Sequence, residues 1–225
     1  MNRKLAIIIG LQAFLIVVLF SFTVLNAQSA FNVGVGGGYT LGNSAFHNVF
    51  NNGASGMLSL SYSLTENIQI SATSGYQDFS YNNDYFDRML NLAGFTSTAH
   101  TNTRLSVIPV MLGIKWMPVH YLSLRPYIQA EGGLHFLSAE AATVKVDGED
   151  IKALDETSVT RGAWSAGVGC LYELTEGFNL DLSVKVGGNN EEYSTYSYDR
   201  FNGNYVKNSA KGLFMTFLAG FVVDL

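Results

Sequence analysis

The feature that most constrains this chain is a regular alternation of apolar and polar residues, which is clearest in residues 122–136. Its apolar members are Leu122, Leu124, Ile128, Ala130, Leu134 and Phe136, and its polar members are Ser123, Arg125, Tyr127, Gln129, Glu131 and His135. Successive side chains of a β-strand point to opposite faces. About ten residues of a tilted strand cross a bilayer. The segment therefore predicts a strand with one apolar and one polar face, long enough to span a membrane.

The same alternation recurs in seven other segments, which gives predicted strands at 31–41, 56–64, 68–77, 105–116, 122–136, 161–174, 178–187 and 213–225. The connections alternate between short turns at 65–67, 117–121 and 175–177 and long loops at 42–55, 78–104, 137–160 and 188–212. Transmembrane barrels have short turns at one end and long loops at the other. The pattern predicts an all-β fold, an eight-stranded antiparallel up-and-down transmembrane β-barrel with both termini in the periplasm.

Residues 1–27 are typical of a secretory signal peptide, with a basic start and an almost wholly apolar run from 5 to 25. Cleavage after Ala27 leaves residues 28–225 as the barrel, and an uncleaved signal anchor is the alternative. Removing the segment takes away Arg3 and Lys4 and no acid, so the net charge of −5 becomes −7. This charge disfavours a nucleic-acid partner. The single cysteine, Cys170, excludes an internal disulfide.

The charged residues within the predicted strands all have the parity opposite to the apolar residues; they are Lys115, Arg125, Glu131, Arg161, Glu173, Asp181, Lys185 and Asp224. A lipocalin-like soluble barrel would turn this charged face to water, whereas a membrane barrel turns it to the lumen. Aromatic residues near both ends of the apolar face, such as Trp116 and Trp164, favour the membrane barrel. Small residues on the charged parity, such as Gly34 and Gly169, also suit a crowded lumen.

Eight strands enclose a space that side chains just fill. Isolated charges are costly in such a space, so they are expected to pair. We predict a lumenal polar network of Lys115, Arg125, Glu131, Glu173, Asp181 and Lys185. Within it, Arg125 is expected to pair with Glu173 or Asp181, and Lys185 with Glu131. The network predicts a barrel whose lumen is filled.

Three stretches carry a likeness to a known family: residues 108–116, residues 125–128 and residues 132–134. They resemble the outer-membrane β-barrel domain family of eight-stranded OmpA/OmpX-like proteins, and the related PorT-like barrels fit equally well. The resemblance implies a Gram-negative outer membrane and assembly by the barrel machinery, which reads a final strand that ends in an aromatic residue. This chain departs from that pattern, because it ends in Leu225 and Phe221 is its last aromatic residue.

The sequence gives no grounds to expect a catalytic, metal-binding or cofactor-binding site. A lipid-modifying enzyme at the barrel rim would need a serine, a histidine and an acid together, but the histidines are scattered along the chain: His47, His100, His120 and His135. The acidic stretch 147–150 does not match a calcium loop. Residues 144–151 are better explained as a hairpin that turns at Asp147 and Gly148.

The fourth long loop is rich in aromatic residues, namely Tyr193, Tyr196, Tyr198, Phe201 and Tyr205, among small polar ones. Such a composition occurs in binding surfaces, so this loop is a candidate for recognition of an extracellular ligand. Residues 85–95 are expected to form a short amphipathic helix. The function predicted is a non-enzymatic outer-membrane barrel with a structural or surface-interaction role, with outer-membrane lipid and the assembly machinery as partners. A narrow porin-like channel and a rim enzyme are the alternatives.

Overall fold

A computed structural model describes residues 31–47, 50–92, 104–119, 123–146, 149–154, 156–199 and 204–225. The predicted signal peptide, the turn residues Asp147 and Gly148, and Phe201 lie outside this described part. The signal peptide therefore stays a prediction.

Eight strands form the wall, and two more form a separate hairpin. The wall strands are β1 (Phe31–Gly42), β2 (Gly53–Ser63), β3 (Ile68–Ser80), β4 (Arg104–Trp116), β5 (Leu124–Ala139), β8 (Thr157–Thr175), β9 (Phe178–Asp199) and β10 (Asn204–Asp224). The hairpin consists of β6 (Ala142–Val146) and β7 (Glu149–Leu154), and the helices are α1 (Ser44–His47) and α2 (Asn83–Leu92). Within the described residues, neither helix is long and apolar enough to cross a membrane.

The wall closes on itself in the order β1-β10-β9-β8-β5-β4-β3-β2, and every pairing is antiparallel. Closure comes from β1 and β10, whose register runs from Asn32 opposite Asp224 to Gly42 opposite Phe214. The prediction of an eight-stranded antiparallel barrel is therefore confirmed. We call its two ends the short-turn end and the loop end.

Several strands extend beyond their predicted limits at the loop end. The prediction of a loop at 188–212 was wrong, because β9 and β10 continue there as a paired hairpin up to Asp199 opposite Asn204. This extension lacks the apolar and polar alternation that marks the wall. It is rich in tyrosine, asparagine and serine, and tyrosine favours strands. The register shifts between Lys211 and Leu213, where the hairpin joins the wall.

Two smaller predictions at the loop end agree with the structure. The helix expected at 85–95 is present as α2, two to three residues earlier in the chain. The hairpin expected at 144–151 is present as β6 and β7, with Val144 opposite Ile151.

The apolar parity faces outward, as predicted from the alternation. Its large side chains are exposed on every wall strand; they include Val35, Leu58, Ile70, Leu112, Ile128, Val168, Leu182 and Phe221. Leu112 is 70% exposed, and the predicted aromatic residues at the two ends, such as Trp116 and Trp164, are each 47% exposed. An exposed apolar surface that surrounds a molecule far exceeds the patches tolerated on soluble proteins. Hydrocarbon is therefore the medium that fits this surface.

The opposite parity faces a packed lumen, and glycines there make room for larger side chains. A Cβ at Gly169 would overlap the ring of Tyr127, and one at Gly167 would contact the stem of Lys185 at 3.1 Å. Tyr127 is 3% exposed. Small residues on this parity thus accommodate the bulky lumenal groups, as the sequence indicated.

Charged residues also occur on the outer face at the loop end, where the strands extend past their predicted limits. Asp78 and Arg104 have the apolar parity and lie within β3 and β4. Their side chains form an ion pair of 2.9 Å, and that of Arg104 is 62% exposed. A charge on the outer surface near an interface costs only about 0–1 kcal/mol, which is consistent with this position.

An arginine in place of Leu112 tests the outward face. We expect L112R to lower the free energy of unfolding in lipid vesicles by about 2–4 kcal/mol, because it places a charge in hydrocarbon. Urea titration followed by tryptophan fluorescence measures this change. The control is E66R in the exposed turn between β2 and β3, for which we expect a change within about 0.5 kcal/mol. Equal effects of L112R and E66R would contradict the assignment.

Candidate functional site: the lumen and its aromatic plug

The most completely bonded charge in the lumen is Glu131, in the middle of β5. Lys185 on β9 donates to both of its carboxylate oxygens, at 3.2 and 3.1 Å. Thr73 donates to one oxygen at 3.2 Å, and Ser165 donates to the other at 2.7 Å. Glu131 and Lys185 are each 8% exposed. A buried ion pair is tolerated when further hydrogen bonds satisfy it, and this one links β3, β5, β8 and β9. The contact predicted between Lys185 and Glu131 is present.

A second group of charges lies around Tyr127. The Tyr127 hydroxyl donates to Asp181 at 2.6 Å. The Lys115 ammonium lies 3.7 Å from the same carboxylate and 4.1 Å from the centre of the Tyr127 ring. Lys115 therefore neutralises Asp181 and also makes a cation–π contact.

Arg125 lies nearer the short-turn end and has different partners from those expected. It donates to the side-chain oxygen of Asn179 at 2.5 Å and lies 4.0 Å from Asp224. The predicted pairing with Glu173 or Asp181 was wrong. Asp181 is engaged by Tyr127, and Glu173 lies exposed near the turn between β8 and β9. The alternation correctly predicted that Arg125 faces the lumen. It does not predict which lumenal side chains lie at the same height in a barrel of tilted strands.

A cavity of about 70 Å³ lies on the loop side of the Glu131–Lys185 pair. Its lining includes Ser55, Gln77, Glu131, His135, Lys185 and Phe214. His135 is 7% exposed, and its Nδ1 has no hydrogen-bond partner in the structure; the same is true of the side-chain oxygen of Gln77. Buried polar groups normally have partners. The cavity thus offers unused hydrogen-bonding capacity.

The loop end of the lumen is filled by a cluster that we call the aromatic plug: Phe46, Phe50, Phe79, Tyr81, Leu105, Val107, Leu137 and Phe214, each at most 5% exposed. The ring centre of Phe46 lies 4.9, 5.0 and 4.9 Å from those of Phe50, Phe79 and Phe214. Burial also raises the pKa of the Tyr81 phenol, which lies beyond the end of β3. Among the described residues, these rings pack against one another and fill this end of the lumen.

Phe46 enters the plug from α1, and the local sequence explains how. The side-chain oxygen of Asn43 accepts a hydrogen bond from the Phe46 amide at 3.1 Å, as in a helix N-cap. The Asn43 amide donates to Leu213 of β10 at 2.9 Å, which fixes the turn to the wall. A Cβ at Gly42 would overlap the Phe46 ring. Gly42 therefore admits the ring to the lumen.

The lumenal position of Phe46 was not predicted from the sequence, because residues 42–55 were expected to form a loop. The local signal was Gly42, followed directly by Asn43 and, three residues after the asparagine, by Phe46. Such short capping signals are common, so the packing partners of Phe46 had to come from the structure.

The candidate recognition residues lie on the hairpin extension of β9 and β10. Tyr193, Tyr196 and Tyr198 belong to β9, and Tyr205 belongs to β10. The register places Tyr205 opposite Tyr198. Phe201 lies outside the described residues, so the fifth member of the set stays a prediction. These residues stand on a paired hairpin rather than on an irregular loop.

The described residues also show how the potentially catalytic groups are used. Ser165 donates to Glu131 rather than to His135. Within the same described part, no three His, Cys, Asp or Glu side chains gather in a way that could hold a metal ion.

A closed antiparallel barrel with an apolar exterior and a charged, filled interior defines a transmembrane β-barrel. A family model described as outer membrane protein beta-barrel domain matches residues 13–211. The chain belongs to this family, and the bacterial outer membrane is the location that the family implies. A comparison with curated proteins gives no match.

Several solved structures are similar to this chain. Neisserial surface protein A is 14% identical, with a TM-score of 0.50 over 89% of this chain and 100% of that chain. A major outer membrane protein from Thermus thermophilus is 12% identical, with a TM-score of 0.48 over 86% and 98%. The attachment invasion locus protein Ail of Yersinia pestis is 11% identical, with a TM-score of 0.42 over 86% and 97%. At these identities the likeness concerns the fold alone.

A methionine in place of Lys185 tests the buried pair. We expect K185M to lower the free energy of unfolding by about 3–5 kcal/mol, because Glu131 is left charged without its partner. The double variant K185M/E131Q removes that charge and keeps one acceptor oxygen for Thr73 or Ser165, so we expect it to be more stable than K185M. Both changes are measured by urea titration in vesicles.

The matched control is the exposed pair of Arg104 and Asp78. R104M should change stability by at most about 1 kcal/mol, because exposed pairs contribute little. A K185M variant as stable as R104M, or a double variant less stable than K185M, would contradict the role of the lumenal pair.

Proposed function

We propose that this protein is a non-enzymatic outer-membrane barrel with a closed lumen, which acts through the hairpins at its loop end. Both termini face the periplasm, and the loop end faces the cell exterior. Outer-membrane lipid covers the apolar surface, and the assembly machinery recognises β10. The observation that carries the proposal is the filling of the lumen by the aromatic plug together with three sets of paired charges.

The filled lumen supports a structural or surface role over transport. The cavity between the plug and the Glu131–Lys185 pair measures about 70 Å³, which is room for only a few water molecules. Phe46 and Phe79 are 0% exposed at its outer side. A solute that crossed would have to displace the plug and separate buried ion pairs.

The hairpins support a surface-interaction role. The extension of β9 and β10 pairs over Glu192–Asp199 and Asn204–Lys211 and carries four of the candidate tyrosines. A strand advances about 3.3 Å per residue, so eight pairs reach roughly 25 Å from the wall. The hairpin of β6 and β7 stands at the same end. These elements are the parts that a partner outside the cell would meet first.

A conductance measurement tests the closed lumen. The wild-type barrel in a planar bilayer should show no discrete conductance steps, because the plug and the ion pairs block the path. The triple variant F46A/E131A/K185A removes one ring of the plug and one of the three sets of paired charges, so we expect conductance steps to be more frequent for it than for the wild type. Steady open-channel steps from the wild type would contradict the proposal and favour the narrow channel.

Shortening the β9–β10 hairpin tests the surface role. We expect replacement of residues 192–211 by a two-residue turn to leave the barrel folded, which heat-modified gel mobility would show. Adhesion of cells that display the variant to collagen- or mucin-coated surfaces should fall to the level of cells without the protein. E66R, which changes an exposed turn at the opposite end of the barrel, is the control, for which adhesion should be retained. Unchanged adhesion after loss of the β9–β10 hairpin would contradict the proposal.

A further inference from the structure

We propose that the mouth of the barrel is a binding site for a small aromatic molecule that carries one hydrogen-bonding substituent, and that Phe46 occupies this site in the free protein. The inference goes beyond the surface role proposed above and does not rest on it. Its basis is an aromatic pocket built by the wall, a separate element that fills it, and unsatisfied polar groups beneath it.

The pocket belongs to the wall of the barrel. Phe79 lies near the end of β3, Val107 lies near the start of β4, Leu137 lies near the end of β5, and Phe214 lies on β10. All four are at most 5% exposed and belong to one cluster. Because these strands are bonded into a closed sheet, we expect the backbone positions of these four residues to be kept when Phe46 leaves.

The occupant comes from outside the wall. Phe46 lies on α1, a helix of four residues. Isolated helices of this length are not stable in water, and their packing holds them in place. The ring of Phe46 packs edge-on against Phe79 and Phe214, with interplanar angles of 76° and 81°. A free aromatic ring could take the same place if α1 moved outward.

Polar side chains line the cavity beneath the Phe46 ring. Phe214 belongs both to the aromatic plug and to the lining of the cavity, so the two spaces adjoin. His135 is more than nine-tenths buried, and its Nδ1 lacks a partner in the described structure, as does the side-chain oxygen of Gln77. Phenylalanine has no polar atom to offer these groups. A ring with a hydroxyl substituent fills the aromatic space and can also bond to His135 or Gln77.

The experiment compares p-cresol with toluene, two ligands of similar shape of which only p-cresol has a hydroxyl. The full barrel with F46A, refolded in detergent micelles, is titrated with each and followed by NMR, with nuclear Overhauser contacts from the ligand to the methyl groups of Val107 and Leu137. We expect saturable binding of both ligands to F46A, with p-cresol bound more tightly. The wild type should bind p-cresol at the same methyl groups at least about tenfold more weakly, because Phe46 must first leave.

Two variants serve as controls. F31A removes an exposed phenylalanine from the outer face and should bind like the wild type, which separates the site from partition into detergent. F46A with H135L and Q77L should bind p-cresol and toluene equally. If F46A does not fold, F46L replaces it, because leucine keeps the apolar contact and leaves part of the ring's space empty.

Three results would overturn the inference. The first is the absence of saturable contacts between p-cresol and the two methyl-bearing residues in the folded Phe46 variant. The second is equal affinity of that variant for p-cresol and toluene. The third is binding of p-cresol to F31A at Val107 and Leu137 as tight as to the Phe46 variant.

Discussion

The whole architecture depends on pairing of the backbone in a medium without water. Each unpaired amide or carbonyl within hydrocarbon costs several kcal/mol, so a membrane-spanning sheet has to close. Here β1 and β10 complete the circle over eleven paired positions, from Asn32 to Gly42 on β1. Once the sheet is closed, alternate side chains of each strand point outward or inward, so they form an outer and an inner population. The outer population meets lipid, and the inner one must be accommodated in a space of fixed size.

That inner space determines the chemistry of the molecule. Lys185 balances the charge of Glu131, and Thr73 and Ser165 donate further hydrogen bonds to it. The ion pair and its hydrogen bonds therefore connect four strands across the lumen. Toward the loop end polar residues give way to aromatic ones, and the cavity between the two regions is lined by groups with unsatisfied polar atoms. Among the described residues, aromatic rings pack at the loop end of the lumen and paired charges lie below them.

The sequence was sufficient to predict the barrel, the strand number and the outward face, because each follows from a period of two. It also indicated the lumenal positions of Lys115, Glu131 and Lys185 and the contact between the last two, but its placement of Glu173 in the network was wrong, because Glu173 lies exposed near the turn after β8. It did not give the partner of Arg125, because strand tilt and stagger decide which lumenal groups lie at one height. The β9–β10 extension was missed because its sequence lacks the alternation of apolar and polar residues that marks the wall strands. Phe46 was missed because no periodic sequence pattern marks a single side chain that enters the lumen from the segment between two strands.

The absence of a β-carbon at Gly42 affects how the mouth of the barrel is filled. A β-carbon at this position would overlap the Phe46 ring, so a larger residue there would force the ring to shift. A glycine at the end of the first strand, followed four residues later by an aromatic residue, is thus a short sequence pattern that goes with this arrangement. Other barrels of this size that carry it are candidates for the same filled entrance, and in those with alanine in its place the ring would have to pack differently.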